Sequence, residues 1–239
     1  PSYIQTYQSG ALSRISRQAH QRLSNCTLCP RRCGVNRLTA ERGVCNTGEQ
    51  AVVHSYGPHH GEEDPLRGEQ GSGTIFFSWC NLRCVFCQNW EISHQGRGEP
   101  VTPAELARMM LNLQYQGCHN INLVSPSHVV AQILAAVQIA AEQGLRLPLV
   151  YNTGGYDSLE ALALLDGVID IYMPDIKYAN SAIAHRYSRI REYVAINQAA
   201  VREMHRQVGD LEINDGVATR GLLGRHLVLP DVLAGTAEI

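Results

Sequence analysis

The chain has 239 residues, 44% of them hydrophobic and 18% charged, with a formal net charge of −2. That length can bury one sizeable core without demanding two, and the composition is that of a soluble globular protein. The near-neutral balance supplies no basic field for bulk nucleic-acid binding, and no apolar run reaches membrane-spanning length. Eight cysteines would suit a disulfide framework in a small secreted protein. The N-terminal residues carry no signal-peptide pattern, however, and seven of the cysteines crowd into residues 26–87. Such crowding suits metal clusters in a reducing compartment, so a cytoplasmic location is expected.

In chain order, residues 1–24 read as a short helix with Leu12, Ile15 and Leu23 on one face. From Cys26 to Gly73 the chain is rich in Gly, Pro, His and Cys without helical or strand period, the pattern of a ligand-bearing loop region. Residues 1–72 are therefore read as a helix plus a Cys-rich metal-binding extension, and residues 73–239 as an α/β domain. The apolar run Thr74–Phe77 reads as a buried strand leading into a cysteine loop. A helix follows Thr102, with Pro103 at its first position, Glu105 completing a capping box, and Leu106, Met109, Met110 and Leu113 on its apolar face up to Gly117. Further strands are expected at 121–124, 149–151, 168–172 and 227–229. Between them come a helix striped by Val130, Ile133, Leu134 and Val137, one capped by Asp157 with Glu160, and one over 192–207. Such alternation implies a parallel sheet with right-handed crossovers that closes into a full or partial TIM-like barrel. In such barrels chemistry sits just after the C-terminal ends of the strands.

Cys80-Asn-Leu-Arg-Cys84-Val-Phe-Cys87 supplies three thiolates that can hold three irons of a cubane cluster. With no fourth local cysteine, one iron stays open to a ligand; a zinc loop borrowing His94 is the alternative. This CxxxCxxC spacing, with Phe86 before the last cysteine, resembles the signature of the radical S-adenosylmethionine (SAM) superfamily. The wider pattern resembles its subgroup related to pyruvate formate-lyase activating enzymes, which act on glycyl-radical enzymes. The resemblance implies a partial (β/α)6 TIM-like barrel behind an N-terminal Cys-rich extension. Because the chain stops soon after the fifth expected strand, the last barrel unit is expected to be missing, and the start at Pro1 fits a fragment or processed chain.

Cys87-Gln88-Asn89 resembles the activase sequence in which the asparagine contacts SAM, so Asn89 inherits that role. Ser125-Pro126-Ser127-His128 stands where the superfamily often has Gly-Gly-Glu, which receives the SAM amino group. Lacking those residues, the chain has the hydroxyls of Ser125 and Ser127 to substitute, unless Ser127 is simply a helix N-cap. Asn152 and Thr153, at the end of an expected strand, resemble the activase rim that meets the SAM ribose or carboxylate. Asp175-Ile-Lys177 resembles an activase Asp-x-Lys whose two charges bind SAM; a surface ion pair is the alternative. Cys26, Cys29, Cys33 and Cys45 supply four further thiolates, enough for zinc or for a second iron–sulfur cluster, and spacing leaves both open. His54, His59 and His60 could line a substrate opening, although adjacent loop histidines are more often solvated. Cys118 reads as a buried thiol and His226 as a packed histidine. Trp79 stands where the subgroup has glycine.

The function implied by the resemblance is reductive cleavage of SAM to a 5′-deoxyadenosyl radical that abstracts hydrogen from a substrate. A glycine of a partner glycyl-radical enzyme is one such substrate; another peptide or a small molecule is the alternative. An electron donor such as flavodoxin or ferredoxin is implied. A non-catalytic, zinc-stapled binding protein is the reading from a different class.

Overall fold

A computed structural model describes residues 1–239. Two helices stand where one was expected, α1 (Ser2–Gln8) and α2 (Ala11–Gln21). Gly10 between them sits at φ 73, a left-handed turn that only glycine adopts freely. Beyond the loop bearing Cys26–Cys45, the stretch read as structureless forms β1 (Ala51–His59), which corrects the loop assignment. The strand is hidden in the sequence because only Ala51 and Val53 are buried and a register shift falls between Val53 and Ser55. A single turn, α3 (Asp64–Arg67), leads to β2 (Ser72–Phe77), which pairs antiparallel with β1.

After the cysteine loop come α4 (Trp90–Ser93), β3 (Glu99–Val101) and α5 (Pro103–Tyr115), whose Thr102–Glu105 capping box forms as expected. The α/β repeat continues through β4 (Ile121–Val124), α6 (Val130–Glu142), β5 (Leu149–Thr153), α7 (Leu159–Leu165) and β6 (Ile171–Ile176). It ends with α8 (Ser181–Ser188), α9 (Tyr193–Val208), β7 (Glu212–Asn214), β8 (Val217–Leu222) and β9 (Arg225–His226). The strand order is β3-β1-β2-β4-β5-β6-β8-β7, with β9 also on β6. The run β2-β4-β5-β6-β8 is parallel throughout, the partial-barrel arrangement.

Three boundaries move for physical reasons. The strand expected at 168–172 runs instead over Ile171–Ile176, because the buried Asp170 ends the preceding turn. Its carboxylate accepts from the backbone N–H of Leu149 at 2.9 Å and of Ser2 at 2.6 Å. The strand expected at 227–229 is replaced by β8 and β9, and Leu227 and Val228 are exposed. Ser158, not Asp157, caps α7, accepting from Ala161 N at 3.2 Å. The Asp157 carboxylate is buried and bonded to side chains instead.

One core of 40 buried residues runs from Tyr3 and Leu12 through the sheet to Met204 and Val208. It crosses residue 72, so the extension and the barrel share it. A separate interior cluster joins Leu66 of α3 to Val150, Ile171, Met173 and Ala218 on the barrel strands. Leu66, Val150, Ile171 and Met173 each stabilise the fold by about 1.5–3 kcal/mol through burial. No helix is long and apolar enough to cross a membrane.

Candidate functional site

The cysteine loop leaves the C-terminal end of β2 and is tied to the end of α8. Arg83 N donates to Ser188 O at 3.3 Å and Val85 N to Tyr187 O at 2.9 Å. Trp79 opens the loop at φ 67, the left-handed region that favours glycine and so the physical reason a glycine would be expected there. Its indole lies over the Cα of Gly96, against the loop that follows α4. Cys80, Cys84 and Cys87 are free thiols, each with a polar neighbour: Leu82 N at 3.4 Å, Ser188 Oγ at 2.9 Å and Ser93 Oγ at 3.1 Å. Burial first, then the neighbouring Cys84 and Cys87, push the Cys80 thiol up to about 12, while Lys177 works the other way. No three His, Cys, Asp or Glu side chains surround a single-ion position. A cubane has no such requirement, since each of its irons takes its own thiolate. Three free sulfurs on one loop, each within reach of a hydrogen-bond donor, fit that group.

Beside this loop the strand ends carry a continuous polar chain. Lys177 Nζ donates to Asp175 Oδ2 at 2.5 Å, and both side chains are mostly buried, with 12% and 21% exposed. A surface pair is thereby ruled out. Burial opposes the Lys177 charge, but Asp175 and the Cys84 sulfur outweigh it, so its pKa is raised. Arg225 of β9 donates from Nε to Asp175 Oδ1 at 3.2 Å and from Nη2 to Asn152 Oδ1 at 2.6 Å. Its Nη1 lies 3.6 Å from Glu62 Oε1 and 3.5 Å from Glu63 Oε1. Glu62 Oε2 accepts from Asn122 Nδ2 at 2.6 Å and from Asn152 Nδ2 at 3.4 Å.

The structure brings Asn152, Asp175 and Lys177 together but disposes the other expected SAM contacts differently. Thr153 and Ser127 belong to a closed, buried set: Ser127 Oγ meets Thr153 Oγ1 at 2.9 Å, Thr153 donates to Asp157 at 2.6 Å, and Tyr151 donates to Asp157 at 2.9 Å. Ser127 is not an N-cap, since Val129 holds that position. Ser125, at φ 59, donates its N–H to Asn152 O at 2.9 Å and so fixes the strand end next to the polar chain. Asn89 is exposed at the start of α4 and makes no capping bond with its side chain. His54 and His60 are exposed, His59 rests edge-on against Phe76 at 6.0 Å, and Cys118 is a buried thiol. His226 is held by Ile176 O at 2.6 Å and Thr236 Oγ1 at 2.9 Å, a packing role. Glu62, Glu63, Asn122 and Arg225 were not foreseen. The Glu-Glu pair lay in a stretch without period, and nothing local marks Arg225; only the sheet joins them.

The four remaining clustered cysteines, Cys26, Cys29, Cys33 and Cys45, line one small cavity with Leu28, Arg31, Arg37, Val44 and His128. Burial foremost pushes Cys29 up to about 12. Arg37 is 1% exposed, and its partners are carbonyls and a sulfur: Gly48 O, His128 O at 2.8 Å and Cys26 Sγ at 3.7 Å. The two cysteine loops also grip each other. Arg31 donates to the carbonyl of Asn81, beside Cys80, at 2.9 Å, and Arg83 donates to the carbonyl of Val44, beside Cys45.

A parallel partial barrel with three free thiols at the end of its first parallel strand defines the class, and comparison agrees. Residues 74–231, well over half the chain, match the Radical SAM superfamily. The chain belongs to that superfamily, and membership implies an enzyme that uses a 4Fe–4S cluster and SAM. An uncharacterized protein of Methanocaldococcus jannaschii is 32% identical over 216 residues, 87% of this chain and 58% of that protein. The chain thus spans somewhat over half the length of this relative.

Proposed function

We propose that Cys80, Cys84 and Cys87 hold a 4Fe–4S cluster with one open iron, and that the polar chain beginning at Lys177 and Asp175 receives SAM beside it. The observation that carries this reading is the largely buried Asp175–Lys177 pair, whose lysine stem lies against Gly154 together with Leu82 of the cysteine loop. When bound, the cluster supplies the electron that breaks the sulfonium S–C5′ bond of SAM, giving methionine and a 5′-deoxyadenosyl radical. The protein's part is placement. Lys177 offers a cation to the SAM carboxylate, and Asp175 and Asn152 offer acceptors to its amino and hydroxyl groups. With Cys84 and Cys87 as cluster thiolates, the hydroxyls of Ser188 and Ser93 would donate to their sulfurs, and such bonds raise the reduction potential. The Trp79 ring packs against Gly96, in the loop that follows α4. The resemblance of the wider pattern to the activases is the ground for proposing a partner protein's glycine as hydrogen donor; the motifs at Asp175-Ile-Lys177 and Cys87-Gln-Asn89 bear on SAM alone. A flavodoxin- or ferredoxin-type protein is the electron donor in that reading, and a reducing compartment suits it.

The four-cysteine cavity supports a second centre. A fully buried guanidinium without a carboxylate partner is costly, and four thiolates around a metal group would carry a net charge of about −2 next to it. We read that centre as a second iron–sulfur cluster rather than zinc, because its loop touches the Cys80 loop in both directions. His128 further bridges them, accepting Arg37 at its carbonyl and contacting Ser78 O at 3.0 Å with Nε2.

Anaerobic reconstitution tests both assignments. The expected result is about eight irons per chain, and release of 5′-deoxyadenosine with SAM and dithionite that Cys84→Ala abolishes. Four irons plus one zinc would make the N-terminal site a structural staple and leave the SAM site standing. Cleavage by the alanine variant would overturn the cluster assignment.

A further inference from the structure

Within the barrel, Asn122 lies mid-strand on β4, between Ile121 and Leu123. Those two belong to the helix-facing core, so strand alternation turns Asn122 toward the interior. Its strand neighbours at that level are Thr74 and Val150, and Val150 belongs to the interior cluster capped by Leu66. Glu62 and Glu63 arrive from outside the barrel repeat, on the turn between β1 and β2. Leu66, three residues after Glu63, anchors that turn: it is fully buried and its carbonyl accepts from Asn120 Nδ2 at 2.7 Å. Two carboxyl groups from the extension are thus held against side chains of the barrel strands, Glu62 at Asn122 and both at Arg225.

Two acceptors in this group lack partners. Asn122 is 0% exposed and spends its Nδ2 on Glu62, while its Oδ1 has no hydrogen bond; Oε2 of Glu63 is likewise buried and unpaired. A buried acceptor left without a donor is destabilising, and folded proteins rarely keep one unless a ligand or water completes it. Glu62, Glu63 and Asp175 all lie around Arg225, and the two glutamates share a hydrogen bond, so what the site still lacks is a hydrogen-bond donor for its acceptors rather than a net charge. Arg225 links this group directly to Asp175, on the SAM side of the same polar chain.

We propose that Asn122, Glu62 and Glu63 form the substrate pocket of this enzyme, and that the substrate presents a nitrogen with N–H bonds there, an ammonium or a backbone amide. That these residues serve a substrate rests on the radical SAM reading; that they bind an N–H donor does not. Asn122 is fully buried and Arg225 joins Glu62 and Glu63 to Asp175, so a group held by Asn122 would stand at the inner end of the same polar chain rather than at the outer surface. It also gives the Cys-rich extension a part in recognition, since Glu62 and Glu63 belong to it and not to the repeat.

The test is a calorimetric titration of the reconstituted full chain with paired probes. Propylammonium is compared with propyltrimethylammonium, and N-acetylglycyl-glycinamide with its N-methylated counterpart. Each N–H-bearing probe of the class the enzyme uses is expected to bind about tenfold or more tightly than its methylated partner, because only it can satisfy the orphaned acceptors. Preference in the ammonium pair alone names an amine substrate, and preference in the peptide pair alone names a polypeptide. Asn122→Leu and Glu63→Gln are each expected to reduce the preference to within about threefold, with unchanged circular dichroism showing that they fold. No preference in the wild type, or a full preference in both variants, overturns the proposal. So does displacement of the probes by SAM, which would assign these acceptors to the cofactor's own amino group. Release of 5′-deoxyadenosine by the wild type is scored separately, so the pocket and the radical reading can fail independently.

Discussion

Burial, then a shared hydrogen bond and the charge of Glu63, push the Glu62 carboxyl from its ordinary 4.5 up to about 7, with Arg225 and Asn122 opposing. Glu63 goes the other way: burial raises it, but the bond from Glu62 and the charge of Arg225 win and lower it. The folded protein therefore holds the Glu62 proton more tightly than the unfolded chain does. Its contribution to stability is full below about pH 4.5 and is lost as pH rises through about 7. Glu62→Gln keeps the neutral shape, and its amide can stand in for the shared proton. The variant is expected to melt higher than the wild type at pH 8, by on the order of 1–2 kcal/mol, and to differ little at pH 5. Thermal melts at the two pH values check this, and a wild type as stable at pH 8 as its variant would contradict it. Trp79 illustrates the same scale in the backbone. A bulky residue at φ 67 is strained, and the ring contact with Gly96 is what offsets the strain.

Elements differ in how much of their cause is local. Helix α5 was legible because its start is written in four consecutive residues. Thr102 Oγ1 accepts from Glu105 N at 3.2 Å, and Glu105 Oε2 accepts from Thr102 N at 2.7 Å. Thr102→Ala is expected to lower stability by about 1 kcal/mol, measured by urea denaturation, with no change in bound iron. Strand β1 had no such signature. Its nine residues include Pro58 and two histidines, and it becomes a strand only because the edge of β2 and the short β3 pair with it. The N-cap of α7 was misplaced by one residue for a related reason. Asp157 and Ser158 are both good caps by type, but Asp157 is recruited by Tyr151 and Thr153 inside the barrel, leaving Ser158 for the helix.

At the scale of the molecule, the extension and the barrel are built as one body. Helices α1 and α2 contribute Tyr3, Leu12 and Ala19 to the main core, β1 extends the sheet, and Leu66 closes the barrel interior. A chain of residues 73–239 alone would expose all of these surfaces. It is expected to lose its cooperative thermal transition and to bind a hydrophobic dye, although it keeps every residue of the CxxxCxxC loop. A sharp melt for that fragment would show that the barrel stands by itself. What the sequence by itself determined was whatever depends on near neighbours: the three-thiol spacing, the alternation of strands and helices, and the capping box of α5. The meeting of Glu62 and Glu63 with Asn122, Asn152 and Arg225 was decided only in the tertiary structure. These residues lie up to 163 positions apart, and only closure of a parallel sheet around an inserted turn gives them a common site.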